Sequence, residues 1–116
     1  VGMIAAMLKV DDWVANGFDW DKDGWMNGPA PSRVLSFEKG IMVEKLRRIN
    51  DLSPDQIVSV GDSGSDLSMM IQGSSFIGFN PAGTWSVDAF EEAGVPIVKS
   101  RDLRDIWPIL MDGEEF

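Results

Sequence analysis

The sequence predicts an α/β fold, a parallel sheet flanked by helices, and three observations carry that expectation. The second half of the chain alternates short apolar strands with helical stretches, the pattern of strand–helix units. One of those strands runs into an Asp/Gly-rich turn that opens a helix, IVSVGDSGSDL, which is where open α/β sheets place their ligands. Finally, 116 residues at 44% apolar and 25% charged suffice for one modest core without the composition of a disordered chain.

The elements follow in order. Residues 2–9 read as a short, almost wholly apolar helix, hence a buried one. Residues 12–18 read as a short strand leading into the Asp/Gly cluster DWDKDGW. The span 18–35 is then a β-hairpin or flap, with Pro29 and Pro31 keeping its return limb from being a central strand. Ser36 can cap a helix reaching Ile49, with Ile41, Met42, Leu46 and Ile49 near one face. Ser53-Pro54-Asp55-Gln56 has the Ser cap, early Pro and third-position Gln of a capping box. That helix is about one turn, because a strand at 57–60 follows at once. A helix at 65–71, a strand at 76–79, a helix at 84–93, a strand at 95–98 and a last helix from a Ser100 cap to Met111 complete the chain.

Two absences narrow the chemistry. With no Cys and no His, the chain supplies no thiolate, no imidazole base and no disulfide. Carboxylates, Lys, Ser and a metal ion must do the work, and a cytoplasmic location fits. The net charge of −9, from 13 Asp and 6 Glu against 10 basic residues, disfavours nucleic acid and anionic lipid and favours divalent cations. The apolar run VGMIAAMLKV is too short to span a membrane and lacks the basic start of a signal peptide.

The chemistry-bearing turn is Gly61-Asp62-Ser63-Gly64-Ser65-Asp66. The glycines permit a tight turn, and a helix start offers unpaired N–H groups to an anion. Asp62 at the strand tip and Asp66 in the first helical turn can face one pocket, where a hard divalent cation would relieve their repulsion. The plainer alternative is that Asp62 makes a turn and Asp66 favours the helix dipole.

GDSGSDLSMM resembles the fourth motif of haloacid dehalogenase (HAD) phosphatases, and FEKGIMVEKL resembles their lysine motif. Lys39 stands at a predicted helix start 23 positions before Asp62, the separation found in the phosphoserine-phosphatase-like branch. The segment FIGFNPAGTWSVDAFEEAGVPIVKSRDLRDIWPIL is similar to that family's following strands and helices. The resemblance implies a Rossmann-like HAD core with a flap, Mg²⁺ ligated by Asp62 and supported by Asp66 directly or through water. It implies phosphate held by Lys39, and Asn80 lining the site unless it simply ends a strand. Lys39 has its own plain alternative, a solvated lysine at a helix start. Ser65 departs from the Asn that many phosphoserine phosphatases carry there; its hydroxyl can still bond phosphate, but the assignment to phosphoserine weakens. Lys45, Arg47 and Arg48 read as a solvated face.

The family's nucleophile is an Asp in a DxDx[TV] motif at the end of the first core strand, and Asp21-Lys22-Asp23 only mimics it. No buried strand leads into it, and the 16 positions that separate Asp23 from Lys39 are too few for the intervening core. The resemblance thus covers the carboxy-terminal portion of one hydrolase domain, residues 1–116, with a flap at about 18–35 and the metal-site half at 36–116. The expected function is Mg²⁺-dependent hydrolysis of a small phosphorylated metabolite through an aspartyl-phosphate on an upstream Asp, and the chain alone is expected to be inactive. A missing amino-terminal segment, or another chain, would complete the sheet. Two alternatives are a non-catalytic HAD-like interaction domain and a calcium-binding module at DWDKDG. That loop has Ala30 where an EF-hand needs Glu and no helical flanks, so a polar hairpin turn is its bland reading.

Overall fold

A computed structural model of the chain describes residues 2–12, 22, 23, 25 and 38–113. The chain divides into two compact units, Val1–Leu35 and Ser36–Phe116. In the first unit the described element is α1 (Gly2–Leu8). It forms where expected, but its apolar side chains are not buried. Ala5 is covered, whereas Met3, Ile4, Met7 and Leu8 lie open, at 82% for Met3 and 70% for Leu8. A helix that is apolar all round needs contacts on every side, and among the described residues α1 has them at Ala5 alone. The strand expected at 12–18 and most of the flap at 18–35 lie outside the described residues. So does most of the DWDKDG loop, of which Lys22 and Asp23 are turn residues open to solvent.

The second unit carries the α/β pattern. Its helices are α2 (Lys39–Ile49), α3 (Gly83–Ala93) and α4 (Trp107–Leu110), and its strands are β1 (Val58–Gly61), β2 (Ser75–Phe79) and β3 (Ile97–Val98). The strands form one parallel sheet in the order β1-β2-β3, with Val58 opposite Ser75, Gly61 opposite Gly78 and Phe79 opposite Val98. Parallel neighbours require crossovers, and the segments between the strands supply them. One is the 3-10 helix Gly64–Met69, the other α3.

The core lies on β2. Phe76 and Gly78 share one face by the two-residue period of a strand, and α3 covers them. Phe90 of α3 is fully buried, and its ring stands 5.4 Å from that of Phe76 in a tilted pair. Gly78 makes room for it, since a Cβ there would fall 2.5 Å from the Phe90 ring. Ile77 and Ile106 are buried too, as are the polar residues Ser59, Asp66 and Ser86.

Four local expectations change. α2 starts at Lys39 with Glu38 as the flanking residue, rather than at a Ser36 cap, and Ile41 and Ile49 stay exposed on it. The helix expected at 65–71 is a 3-10 helix, because glycine, serine and aspartate disfavour a regular α-turn. The strand expected at 95–98 shortens to two residues, Pro96 having no N–H for a ladder. The last helix is split into the 3-10 helix Leu103–Ile106 and α4, capped by Asp102, whose Oδ1 accepts from Arg104 N–H at 3.0 Å. Ser100 sits one step back, its Oγ accepting from Asp102 N–H at 2.9 Å. By contrast, the Ser53–Gln56 capping box forms as read, with Gln56 Oε1 accepting from Ser53 N–H at 2.9 Å.

Candidate active site

The carboxyl edge of the sheet is built by three returns of the chain. β1 ends at Gly61 and delivers Asp62, β2 ends at Phe79 and delivers Asn80, and α2 begins at Lys39. Asp62 C=O accepts from Ala82 N–H at 2.8 Å, which ties the turn after β1 to the one after β2.

Gly61 is required because Asp66 folds back onto it: a Cβ on Gly61 would lie 2.4 Å from the Asp66 Cβ. Asp66 is 7% exposed and its carboxylate is saturated. Oδ2 accepts from the N–H groups of Asp62 and Ser63, each at 3.1 Å, the second closing a capping box. Oδ1 takes the Lys39 ammonium in an ion pair. Burial pushes the Asp66 carboxyl upward, but the Lys39 hydrogen bond, the Ser63 N–H, the Lys39 charge and the Asp62 N–H outweigh it, so Asp66 sits below the usual carboxylate range.

The turn's backbone donors differ from the sequence expectation. An anion cradle needs unpaired N–H groups, yet those of Asp62 and Ser63 go to Asp66 and that of Gly64 goes to Ser86 Oγ at 3.2 Å. The Asp66 N–H donates to Ser63 C=O at 2.9 Å. Ser65 is held most loosely, its N–H 3.4 Å from Ser63 Oγ, and its own hydroxyl pairs with Ser63 Oγ at 3.1 Å. Five satisfied donors make a rigid turn rather than an open cradle.

The candidate residues thus separate. Lys39 and Asp66 are in contact, and Ser65 is half-buried in the turn. Asp62 is exposed at the strand tip, and its carboxylate has no hydrogen bond among the described residues. Asn80 is exposed at the end of β2 with φ 45°, in the left-handed region that Asn tolerates, its N–H donating to Val98 C=O at 2.7 Å. Three residues that sequence reading passed over support the site. Ser68 Oγ accepts from Lys39 N–H, Gly40 packs on the Ser68 carbonyl, and Ser86 holds Gly64. A glycine beside the lysine, early in a helix where glycine is costly, was the one legible signal among them.

No protein-family model matches the chain, nor does any curated protein sequence. A crystal structure of phosphoserine phosphatase in its apo form does, with a TM-score of 0.76 and 27% sequence identity, over 91% of this chain and 50% of the other. The chain has a phosphoserine-phosphatase-like HAD fold. It spans about half the length of that phosphatase, so the three-stranded sheet is a partial HAD core. In this HAD fold the edge that bears Lys39 and the Asp62–Asp66 turn is the carboxyl end of parallel strands, where an α/β sheet binds ligands.

Proposed function

We propose that the chain carries the cation-binding and charge-neutralising part of a HAD phosphomonoester hydrolase active on a small phosphorylated metabolite. One observation carries the reading: the Lys39 ammonium and the Asp62–Asp66 turn meet at the carboxyl edge of the sheet of a phosphoserine-phosphatase-like fold.

The donor set fits magnesium through Asp62. Mg²⁺ keeps most of its waters and is bound through one or two carboxylates plus substrate phosphate, so one exposed, uncommitted carboxylate suffices from this chain. Among the described residues no group of three acidic side chains gathers at one point, which fits a shared site better than an all-protein cage. Asp66, with both oxygens engaged, acts as a support in this reading, keeping the turn closed and Lys39 in place. Bound there, the cation would neutralise phosphate charge as a Lewis acid.

The remaining chemistry follows from charge. An aspartate outside these 116 residues attacks phosphorus, the ester oxygen leaves with a proton, and water then cleaves the aspartyl-phosphate to release phosphate. Lys39 neutralises the charge spread over the phosphoryl oxygens during both displacements. Ser65 and Asn80 border the same edge and are the phosphate contacts we assign. The segment bearing the nucleophile, in the same polypeptide or another chain, would complete the sheet as part of one hydrolase domain. The acidic charge and absence of Cys fit a cytoplasmic enzyme; no helix among the described residues is long and apolar enough to cross a membrane. A non-catalytic interaction domain is the second reading, favoured by the open apolar side chains of α1.

The gene product that includes the upstream segment separates the two. A DxDx[TV] motif there, with hydrolysis of p-nitrophenyl phosphate abolished by Asp62→Ala and lowered about 10²–10³-fold by Lys39→Ala, is expected. Full activity in both variants would reject the assignment.

A further inference from the structure

Lys39 opens α2 at the end of a helix where a cation is electrostatically disfavoured, so its place must be enforced from outside the helix. α2 has no cap of its own: Glu38 makes no side-chain hydrogen bond to the first turn. The first N–H of the helix, that of Lys39, is instead taken by Ser68 Oγ at 3.1 Å, 29 positions further along the chain. Gly40 then lies against the same residue. A Cβ at Gly40 would sit 2.4 Å from the Ser68 carbonyl oxygen, a backbone atom that cannot swing aside. Glycine is a poor helix former, and a packing reason of this kind accounts for it in the first turn. The Lys39 ammonium reaches Asp66, which belongs to the same short 3-10 helix as Ser68. One element therefore holds the lysine at both ends, its backbone through Ser68 and its side chain through Asp66.

We propose that Ser68 and Gly40 are positioning residues for Lys39. The Ser68 hydroxyl caps α2 from another element, and the bare Gly40 sets how closely the helix approaches the Asp62–Asp66 turn. Together they fix the ammonium without touching substrate. The assignment of a reaction to that ammonium rests on the function proposed above; the positioning itself does not.

Hydrogen exchange of the Lys39 amide and the ¹⁵N NMR signal of its ammonium, read in the protein that includes the upstream segment, test this directly. The expected result is a protected amide and a resolved ammonium signal in the wild type. In Ser68→Ala the amide exchanges about threefold to tenfold faster, and the ammonium signal is lost there and in Gly40→Ala. Ser68→Thr, which keeps the hydroxyl, retains both. An unprotected Lys39 amide in the wild type would overturn the proposal even if the alanine variants fail to fold. So would a folded Ser68→Ala protein with both signals unchanged. Neither readout depends on turnover: signals that respond as expected beside undiminished hydrolysis in Lys39→Ala would keep the positioning and discard the function.

Discussion

Asp66 shows how much a single carboxylate can organise. Its two oxygens accept from two backbone N–H groups and one ammonium, which fixes a turn too rich in glycine and serine to hold itself. Because its pKa is lowered by folding, these bonds stabilise the folded state fully above the ordinary carboxylate range. They are lost as pH falls through the depressed value. Asp66→Asn should therefore cost about 1.5–3 kcal/mol at pH 7, the range for hydrogen bonds to a charged group. Its deficit against the wild type should shrink as pH falls below the ordinary carboxylate range and through the depressed value, where Asp66 itself protonates. Urea denaturation at pH 7 and at pH 3 measures both. Glu44 also titrates low, at about 2, held by Arg47 and Arg48. It lies on an open helix face, where ion pairs contribute little, so Glu44→Gln should leave the urea midpoint essentially unmoved.

Among the elements, β2 and α3 carry the core and are the most sensitive to volume. Gly78→Ala would drive a methyl into the Phe90 ring and should cost about 1–3 kcal/mol by overpacking. Phe90→Ala should cost about 3–5 kcal/mol by leaving a cavity beneath Phe76. Thermal or chemical denaturation of each variant checks these values. The strands β1 and β2 were the most legible elements in the sequence, because IVSV and SFIGF are short apolar runs bounded by turn residues. Boundaries set by side-chain competition were not legible. Asp102 displaced Ser100 as a cap, since both are good cap residues two positions apart and packing chose between them. The helix that Lys39 opens was readable to its end at Ile49, but its start depends on Ser68, a partner 29 positions away. Local reading brings Asp62 and Asp66 together by spacing; it cannot see that Asp66 will spend both oxygens on its own turn and on Lys39.

At the scale of the whole molecule, the chain is about half the length of the phosphatase it matches. Met3, Ile4, Met7 and Leu8 are open on α1. Exposed apolar side chains close together on one helix mark a contact surface. The 116-residue chain alone should self-associate at micromolar concentration, and Met3→Lys with Met7→Lys should reduce that association in sedimentation velocity. The central claim is that Asp62 brings a divalent cation to a phosphate that Lys39 neutralises. The most direct measurement is the magnesium dependence of phosphate-ester hydrolysis by the protein with its upstream segment, compared with that of Asp62→Asn. Activity that needs magnesium, is abolished by chelation and is lost in Asp62→Asn at every magnesium concentration is the predicted result. Hydrolysis that proceeds without magnesium, or survives Asp62→Asn with the same magnesium dependence, would contradict it.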